Sequence, residues 1–239
     1  MQPITGKISL IRILENGTRA AQVDCTPAVT PRPGQYLHAH SPEEPDAVLG
    51  VSLFPVGMPD PVGSPSNPPP LILAPAPHTW IPGTPLMLRG PLGHGFTLPD
   101  ALTRLALVAF GDTAARLLPL IPLARARRTD IVLFSDSPPA NLPTAVEIQP
   151  LAALPESLPW ADYWAFDLPI ETLPALRDAL ALPSHGGLPA PAQVLITLPM
   201  PCAAVGECGA CAVPLRNGKY ALACKDGPVF DFDELQLFM

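Results

Sequence analysis

Four of the five cysteines stand close together near the C-terminus, at Cys202, Cys208, Cys211 and Cys224, with the spacing C-x5-C-x2-C-x12-C. Three thiols on one loop of small residues, plus a fourth a short hairpin away, restrict the fold more than any other feature of the chain. Gly206, Gly209 and the neighbouring alanines let the backbone approach without side-chain obstruction, so the four sulfurs can gather on one centre. The spacing predicts a metal site with Cys202, Cys208, Cys211 and Cys224 as ligands.

Plant-type [2Fe-2S] proteins use C-x4-C-x2-C with a distant fourth cysteine, whereas zinc ribbons carry two C-x2-C knuckles. Only one such knuckle is present. A long first loop also wraps a cluster with backbone N–H groups aimed at its sulfurs, which a four-thiolate zinc site needs less. The expectation is a [2Fe-2S] cluster, with a zinc-stabilised, non-redox interaction module as the alternative. Cys25, alone in Val23-Asp-Cys-Thr, reads as a strand residue.

The first third reads as short antiparallel strands punctuated by proline and glycine. Lys7 to Leu14 alternates, Glu15-Asn-Gly-Thr is a turn, and Ala20 to Cys25 returns beside it. Gln35 to Ala39, Val48 to Phe54, Leu71 to Ala74 and Pro85 to Arg89 follow, and together they predict a small barrel. The proline-rich stretch from Gly57 to Pro70 reads as a surface loop.

From Leu105 onward strands alternate with helices: strands at Leu105 to Phe110, Ile131 to Phe134, Ala145 to Ile148, Tyr163 to Phe166 and Gln193 to Thr197, helices at Thr113 to Arg128 and Ile170 to Ala181. That pattern predicts a doubly wound parallel sheet. Pro119 and Pro122 would kink the first helix. Asp112 is the expected N-cap of that helix.

Charge and composition narrow the function classes. The 239 residues are 48% hydrophobic and 15% charged, a globular balance, and the 36 prolines show no collagen-like period. A net charge of −7 without lysine or arginine stripes argues against nucleic acid. No apolar run reaches the ~20 residues of a membrane span, and the N-terminus lacks a signal-peptide pattern, so the cytoplasm is the expected compartment. Histidines 38, 40, 78, 94 and 185 lack ligand-like pairing. Lys219 and Lys225 stand near the cysteines, and Leu237-Phe-Met is expected to pack on its own chain.

Met200-Pro-Cys through Cys211-Ala-Val, followed by Cys224-Lys-Asp-Gly-Pro-Val-Phe, resembles the C-terminal cluster segment of the electron transfer subunit of dihydroorotate dehydrogenase B. That family spaces its first cysteines C-x4-C-x2-C, so this chain carries one extra residue between Cys202 and Cys208. Arg32-Pro-Gly-Gln-Tyr, Val51-Ser-Leu-Phe and Arg89-Gly-Pro-Leu-Gly-His-Gly-Phe resemble landmarks of the flavin-binding barrel of the ferredoxin reductase-like superfamily. The resemblance implies a barrel over residues 1–100, a nucleotide-type α/β domain over 101–198 and a cluster domain over 199–239. It places FAD at Ser52, Gly90 and Gly93. It also implies electrons passing among NAD, FAD, the cluster and an FMN-containing dihydroorotate dehydrogenase-like catalytic subunit in a hetero-oligomer, with this chain not catalytic alone.

Several residues depart from that pattern. Leu49 stands where the family has an arginine on the flavin phosphates, and Ala74-Pro-Ala-Pro-His-Thr replaces a Gly-x-Gly-Thr turn whose amides hold them. After the first strand of the sheet only Gly111 survives of a glycine-rich turn, and Phe166-Asp-Leu-Pro169 lacks the family's Cys-Gly. FAD is therefore opposed by the residues at its phosphates, and NAD is not expected. A full FAD- and NAD-dependent reductase with relocated phosphate contacts is the remaining alternative.

Overall fold

The computed structural model describes residues 4–47, 49–57, 70–182 and 187–237. Strands β1 (Ile4–Ile13) and β2 (Arg19–Asp24) form the first hairpin. Its turn is the expected one: Leu14 N–H donates to the Thr18 carbonyl, the Asn16 side chain accepts the Thr18 N–H, and Gly17 takes φ +80°. Strands β3 (Tyr36–His40), β4 (Val51–Pro55), β5 (Leu71–Ala74) and β6 (Pro85–Leu92) complete a closed antiparallel barrel in the order β1-β2-β5-β4-β3-β6. Alternate residues point inward, so Ile8, Leu37, Leu53, Leu73, Leu86 and Leu88 fill the interior. Trp80 plugs one end and donates its indole N–H to Glu44 at 3.0 Å, satisfying the polar tip of a buried ring. Cys25 lies just past β2, and Val48 and residues 58–69 of the expected proline-rich loop lie outside the described residues.

The second body is built from β7 (Arg104–Ala109), α1 (Leu120–Ala126), β8 (Asp130–Phe134), β9 (Val146–Gln149), α2 (Leu154–Ser157), β10 (Tyr163–Pro169), α3 (Leu176–Ala179) and β11 (Ala192–Thr197). Two further strands, β12 (Ala212–Pro214) and β13 (Tyr220–Leu222), pair as a hairpin, and β14 (Val229–Asp231) returns to the sheet. The sheet runs β14-β11-β10-β7-β8-β9, parallel throughout except for β14. Leu105 to Ala109 and Tyr163 to Leu168 are buried along their whole length, as strands covered on both faces must be. The chain winds outward from β7 through β8 and β9, then returns to β10 and β11 on the other side. The topological switch point lies between β7 and β10.

Both expected helices are shorter than their periodicity suggested. Residues 115–119 form turns, and α1 begins only after Pro119, whose missing N–H ends any helix that precedes it. Pro122 falls in the first turn of α1, where an amide would have no partner, so it is tolerated there. Asp112 therefore caps nothing: the N-cap position is Pro119, and no side chain bonds to the helix start. The second expected helix is a 3-10 segment, Ile170–Ala175, containing Pro174 and running into α3.

Barrel and sheet share one core. Tyr36, Phe54 and Phe96 of the barrel side join the sheet strands and the buried residues of the cysteine segment in a single apolar cluster, with the Tyr36 and Phe54 rings 5.8 Å apart. Leu237 is buried in that same core; Phe238 and Met239, like His185, lie outside the described residues.

Candidate metal centre

The hairpin β12–β13 brings distant cysteines together. Its Asn217-Gly218 turn places Ala212 opposite Leu222, so Cys211 lies beside Ala223 and the Ala223 N–H donates to the Cys211 carbonyl at 2.9 Å. Cys211 and Cys224 are both buried, with sulfurs 3.3 Å apart. The other two close a second pair across the loop: Cys202 and Cys208 have sulfurs 3.5 Å apart, with Cys208 exposed. No disulfide forms; all four are free thiols, far beyond an S–S bond of about 2.05 Å.

These separations approach the ~3.8 Å between two thiolates on one tetrahedral ion with metal–sulfur bonds of about 2.3 Å. Among the described residues no set of three or more histidine, cysteine or acidic side chains converges on a single ion. The four sulfurs stand as two pairs, which suits a two-metal centre with two thiolates at each metal better than one four-thiolate zinc ion.

Backbone geometry turns amides toward the sulfurs. Ala203 and Ala204 take φ +41° and +67°, and Gly209 takes φ +74°. Left-handed alanines cost ~1–2 kcal/mol each, strain of the kind that collects at functional loops. Hydrogen bonding at the Gly206 backbone, then the Cys208 thiol, then the Cys208 and Ala204 backbone, lowers the Cys202 thiol to about 7. Burial, followed by the Cys211 thiol, pushes Cys224 up to about 12. The cradle therefore favours negative charge at Cys202, while Cys224 needs a nearby cation to hold it ionised.

The run after Cys224 is structural. Asp226 accepts the Leu222 N–H on its carboxylate at 2.8 Å and closes a tight turn. Lys225 reaches Glu207 at 3.1 Å, tying the cysteine loop to this strap. A Cβ at Gly227 would strike the Phe230 ring, so that glycine lets the chain turn into β14.

Two barrel residues that sequence reading did not single out hold the site from beneath. Tyr36 donates its hydroxyl to the Cys224 carbonyl at 3.0 Å, and burial, then the Cys224 charge, raises its phenol well above the ordinary range. Arg89 donates to the Ala203 carbonyl. Both lie in stretches recognised in the sequence, Arg32 to Tyr36 and Arg89 to Phe96, but nothing local signals a contact across more than a hundred residues of chain.

The residues expected at a flavin lie apart from one another in role. Ser52 is half-buried on β4 opposite His38. Gly90, at φ +146°, lies under Leu37. Gly93, at φ +72°, is pressed against the Gly227 carbonyl and the Pro228 ring, and the His94 N–H donates to that same carbonyl. Leu49 is 60% exposed and lines a cavity of about 580 Å³ together with Glu43, Glu44 and Asp46. An apolar side chain among carboxylates does not fit a diphosphate.

At the switch point, Arg116 donates its Nε to both oxygens of Asp167, at 3.1 and 2.9 Å. Asp167, at the end of β10 beside Ala109, is 1% exposed. Burial raises its carboxyl and the Arg116 guanidinium opposes that rise. The Phe110 N–H donates to the Asp167 carbonyl at 2.8 Å. Among the described residues no helix is long and apolar enough to cross a membrane.

Comparison with known proteins agrees with this geometry. No curated protein sequence matches the chain. A chain of an NADH-dependent reduced ferredoxin-NADP oxidoreductase has the same fold at TM-score 0.68 and 17% identity, covering 97% of this chain and 90% of that one. Phthalate dioxygenase reductase matches at TM-score 0.51 and 13% identity, covering 90% and 87%. A type IV self-sufficient cytochrome P450 monooxygenase matches at TM-score 0.58 and 15% identity, with 93% of this chain spanning 39% of that longer protein. At such identities the likeness establishes the ferredoxin reductase-like fold. The family model for the iron-sulfur cluster binding domain of dihydroorotate dehydrogenase B matches residues 199–236, which include all four paired cysteines. The chain thus has a ferredoxin reductase-like fold, and over residues 199–236 it is similar to the iron-sulfur cluster binding domain of dihydroorotate dehydrogenase B.

Proposed function

We propose that the chain is an iron-sulfur electron transfer subunit, working in the cytoplasm as part of a hetero-oligomer with an FMN-containing, dihydroorotate dehydrogenase-like catalytic subunit. Residues 1–100, 101–198 and 199–239 are its barrel, nucleotide-type and cluster parts. Cys202 and Cys208 would hold one iron of a [2Fe-2S] cluster, and Cys211 and Cys224 the other. Such a cluster supplies one-electron transfer.

The observation that carries this reading is the arrangement of four free thiols in two close pairs inside the matched segment. The chain's own groups do the rest. The Gly206, Cys208 and Ala204 backbone favours thiolate at Cys202, and the buried Cys211–Cys224 pair keeps water from one side. Exposed Cys208 would give a partner its nearest approach to the cluster.

Anaerobic isolation should give two irons and two acid-labile sulfides per chain, with a visible absorption that dithionite bleaches. Cys208→Ser should lose at least half of the iron while the fold, read by far-UV circular dichroism, persists. Stoichiometric zinc without sulfide, or a Cys202–Cys208 disulfide in freshly isolated protein, would overturn the proposal.

A further inference from the structure

We infer that neither dinucleotide position of this fold can be used, so that the chain exchanges electrons only with other redox proteins and not with a pyridine nucleotide. This rests on the iron-sulfur reading and goes beyond it, because it removes hydride chemistry from the subunit.

In an open α/β sheet a dinucleotide binds outside the carboxyl ends of the strands at the switch point, with its diphosphate against the N-terminus of the helix that follows the first strand. Each part of that site is altered here. The helix is displaced: α1 starts at Leu120, and its N-cap is Pro119, which has no N–H to offer. The intervening turn packs instead of standing open. Ala114 and Leu117 are fully buried, and Ala115 joins Ala20, Val56, Ile72 and Ala74 in a small core between turn and barrel. The Ala115 carbonyl accepts the Gly57 N–H at 3.0 Å, and its own N–H is taken by the Thr113 hydroxyl at 3.1 Å.

The turn is also tied to the strand it faces. Arg116, the one cation on that turn, is committed to buried Asp167 at the end of β10, and Asp112 is exposed beside it. An incoming diphosphate would have to break the Arg116–Asp167 pair, leave a carboxylate buried without a partner, and then lie near it. Removing one partner of a buried pair costs ~3–5 kcal/mol, equivalent to a loss of more than a hundredfold in affinity at 1.4 kcal/mol per tenfold.

The flavin position fails for a separate reason. Leu49 replaces the cation, Glu43, Glu44 and Asp46 line the same cavity, and Pro75 and Pro77 remove amides from the neighbouring turn. Gly93 is filled by Gly227 and Pro228 of the chain's own cluster segment. With both positions closed, what reaches the subunit is a single electron from a reduced redox protein, and what leaves is the same electron to an oxidised one. No hydride or proton is transferred.

The test uses the anaerobically isolated full chain. After incubation with excess FAD and gel filtration, the flavin retained should be below a tenth of an equivalent. Titration calorimetry with NADH and with NADPH should show no saturable heat. Neither nucleotide, with or without added FAD, should bleach the visible absorption that dithionite removes. Near-stoichiometric flavin, or bleaching by either nucleotide, overturns the inference. Dithionite bleaching and sulfide content report the cluster independently, so a failure of the cluster reading is seen as such and is not confused with nucleotide binding.

Discussion

Arg116→Met is the most informative single perturbation, because it exposes what the ion pair at the switch point contributes. Asp167 is buried and its two oxygens both face Arg116 Nε, so the variant leaves an ionised carboxylate in an apolar strand end. Breaking a buried pair costs ~3–5 kcal/mol; the Arg116 side chain is 22% exposed, which places this one near the lower end, at about 3 kcal/mol. For a chain of this size each kcal/mol shifts the melting temperature by ~2–4 °C, so the expected drop is about 6–12 °C at pH 7. The Phe110 bond survives, since it goes to the Asp167 backbone. Two further measurements separate the pair from simple loss of packing. Arg116→Met combined with Asp167→Leu replaces both charges and should recover most of the drop, because hydrophobic replacement of a buried pair is neutral or stabilising. Burial already raises Asp167 in the intact chain against the opposing Arg116 guanidinium, and the single variant removes that opposition, so its folded-state pKa rises further above the unfolded value. The folded state then binds the proton more readily, so stability falls as pH rises through that pKa, and the deficit narrows as pH is lowered. Anaerobic thermal melts of the cluster-loaded chain at two pH values read all of this. A single variant within about 2 °C of the parent at pH 7, or a double variant no better than the single, would refute the reasoning.

Other perturbations address the cradle and the barrel. Tyr36→Phe leaves the buried Cys224 carbonyl without its donor and should cost ~1–3 kcal/mol, measured by denaturant titration, and hasten loss of visible absorption in air. Ala204→Gly relieves a left-handed alanine at φ +67°, a gain of ~1–2 kcal/mol offset by ~0.5–1 kcal/mol of glycine entropy, so a small rise in melting temperature is expected. His38 titrates below its ordinary value because it is buried, then because Arg89 and His40 face it. The unfolded chain therefore takes up the proton first, and stability present above pH 6.5 is lost as pH falls below it. His38→Gln should flatten that part of the melting-temperature profile.

What the sequence displayed was whatever repeats locally. Alternation from Lys7 to Leu14 with an Asn-Gly turn announces β1 and β2, and the unbroken apolar runs at Leu105 and Tyr163 announce buried parallel strands. The cysteine spacing was readable for the same reason, because a knuckle and a short hairpin fix which thiols can meet. Helix lengths were misread where periodicity and proline compete: residues 113–119 carry a helical apolar pattern, but Pro119 removes the donor that would continue it, and packing of Ala114 and Leu117 onto the sheet satisfies the pattern without a helix. Arg116 with Asp167, and Tyr36 with Cys224, were invisible because each pair is joined only by the folded topology. No window of sequence contains both members.

Those long-range pairs also explain why a body with altered nucleotide positions keeps its fold. The Cys202–Cys208 pair sits on a loop whose Ala203 carbonyl is held by Arg89 of β6, and the buried pair ends at Cys224, whose carbonyl is held by Tyr36 of β3. Adjacent antiparallel strands of one barrel therefore hold the two halves of the thiol quartet. A few residues after Cys224, β14 joins β11 and fixes the same segment to the sheet. None of these anchors involves Leu49 or Arg116. Loss of the barrel would therefore free both sulfur pairs at once.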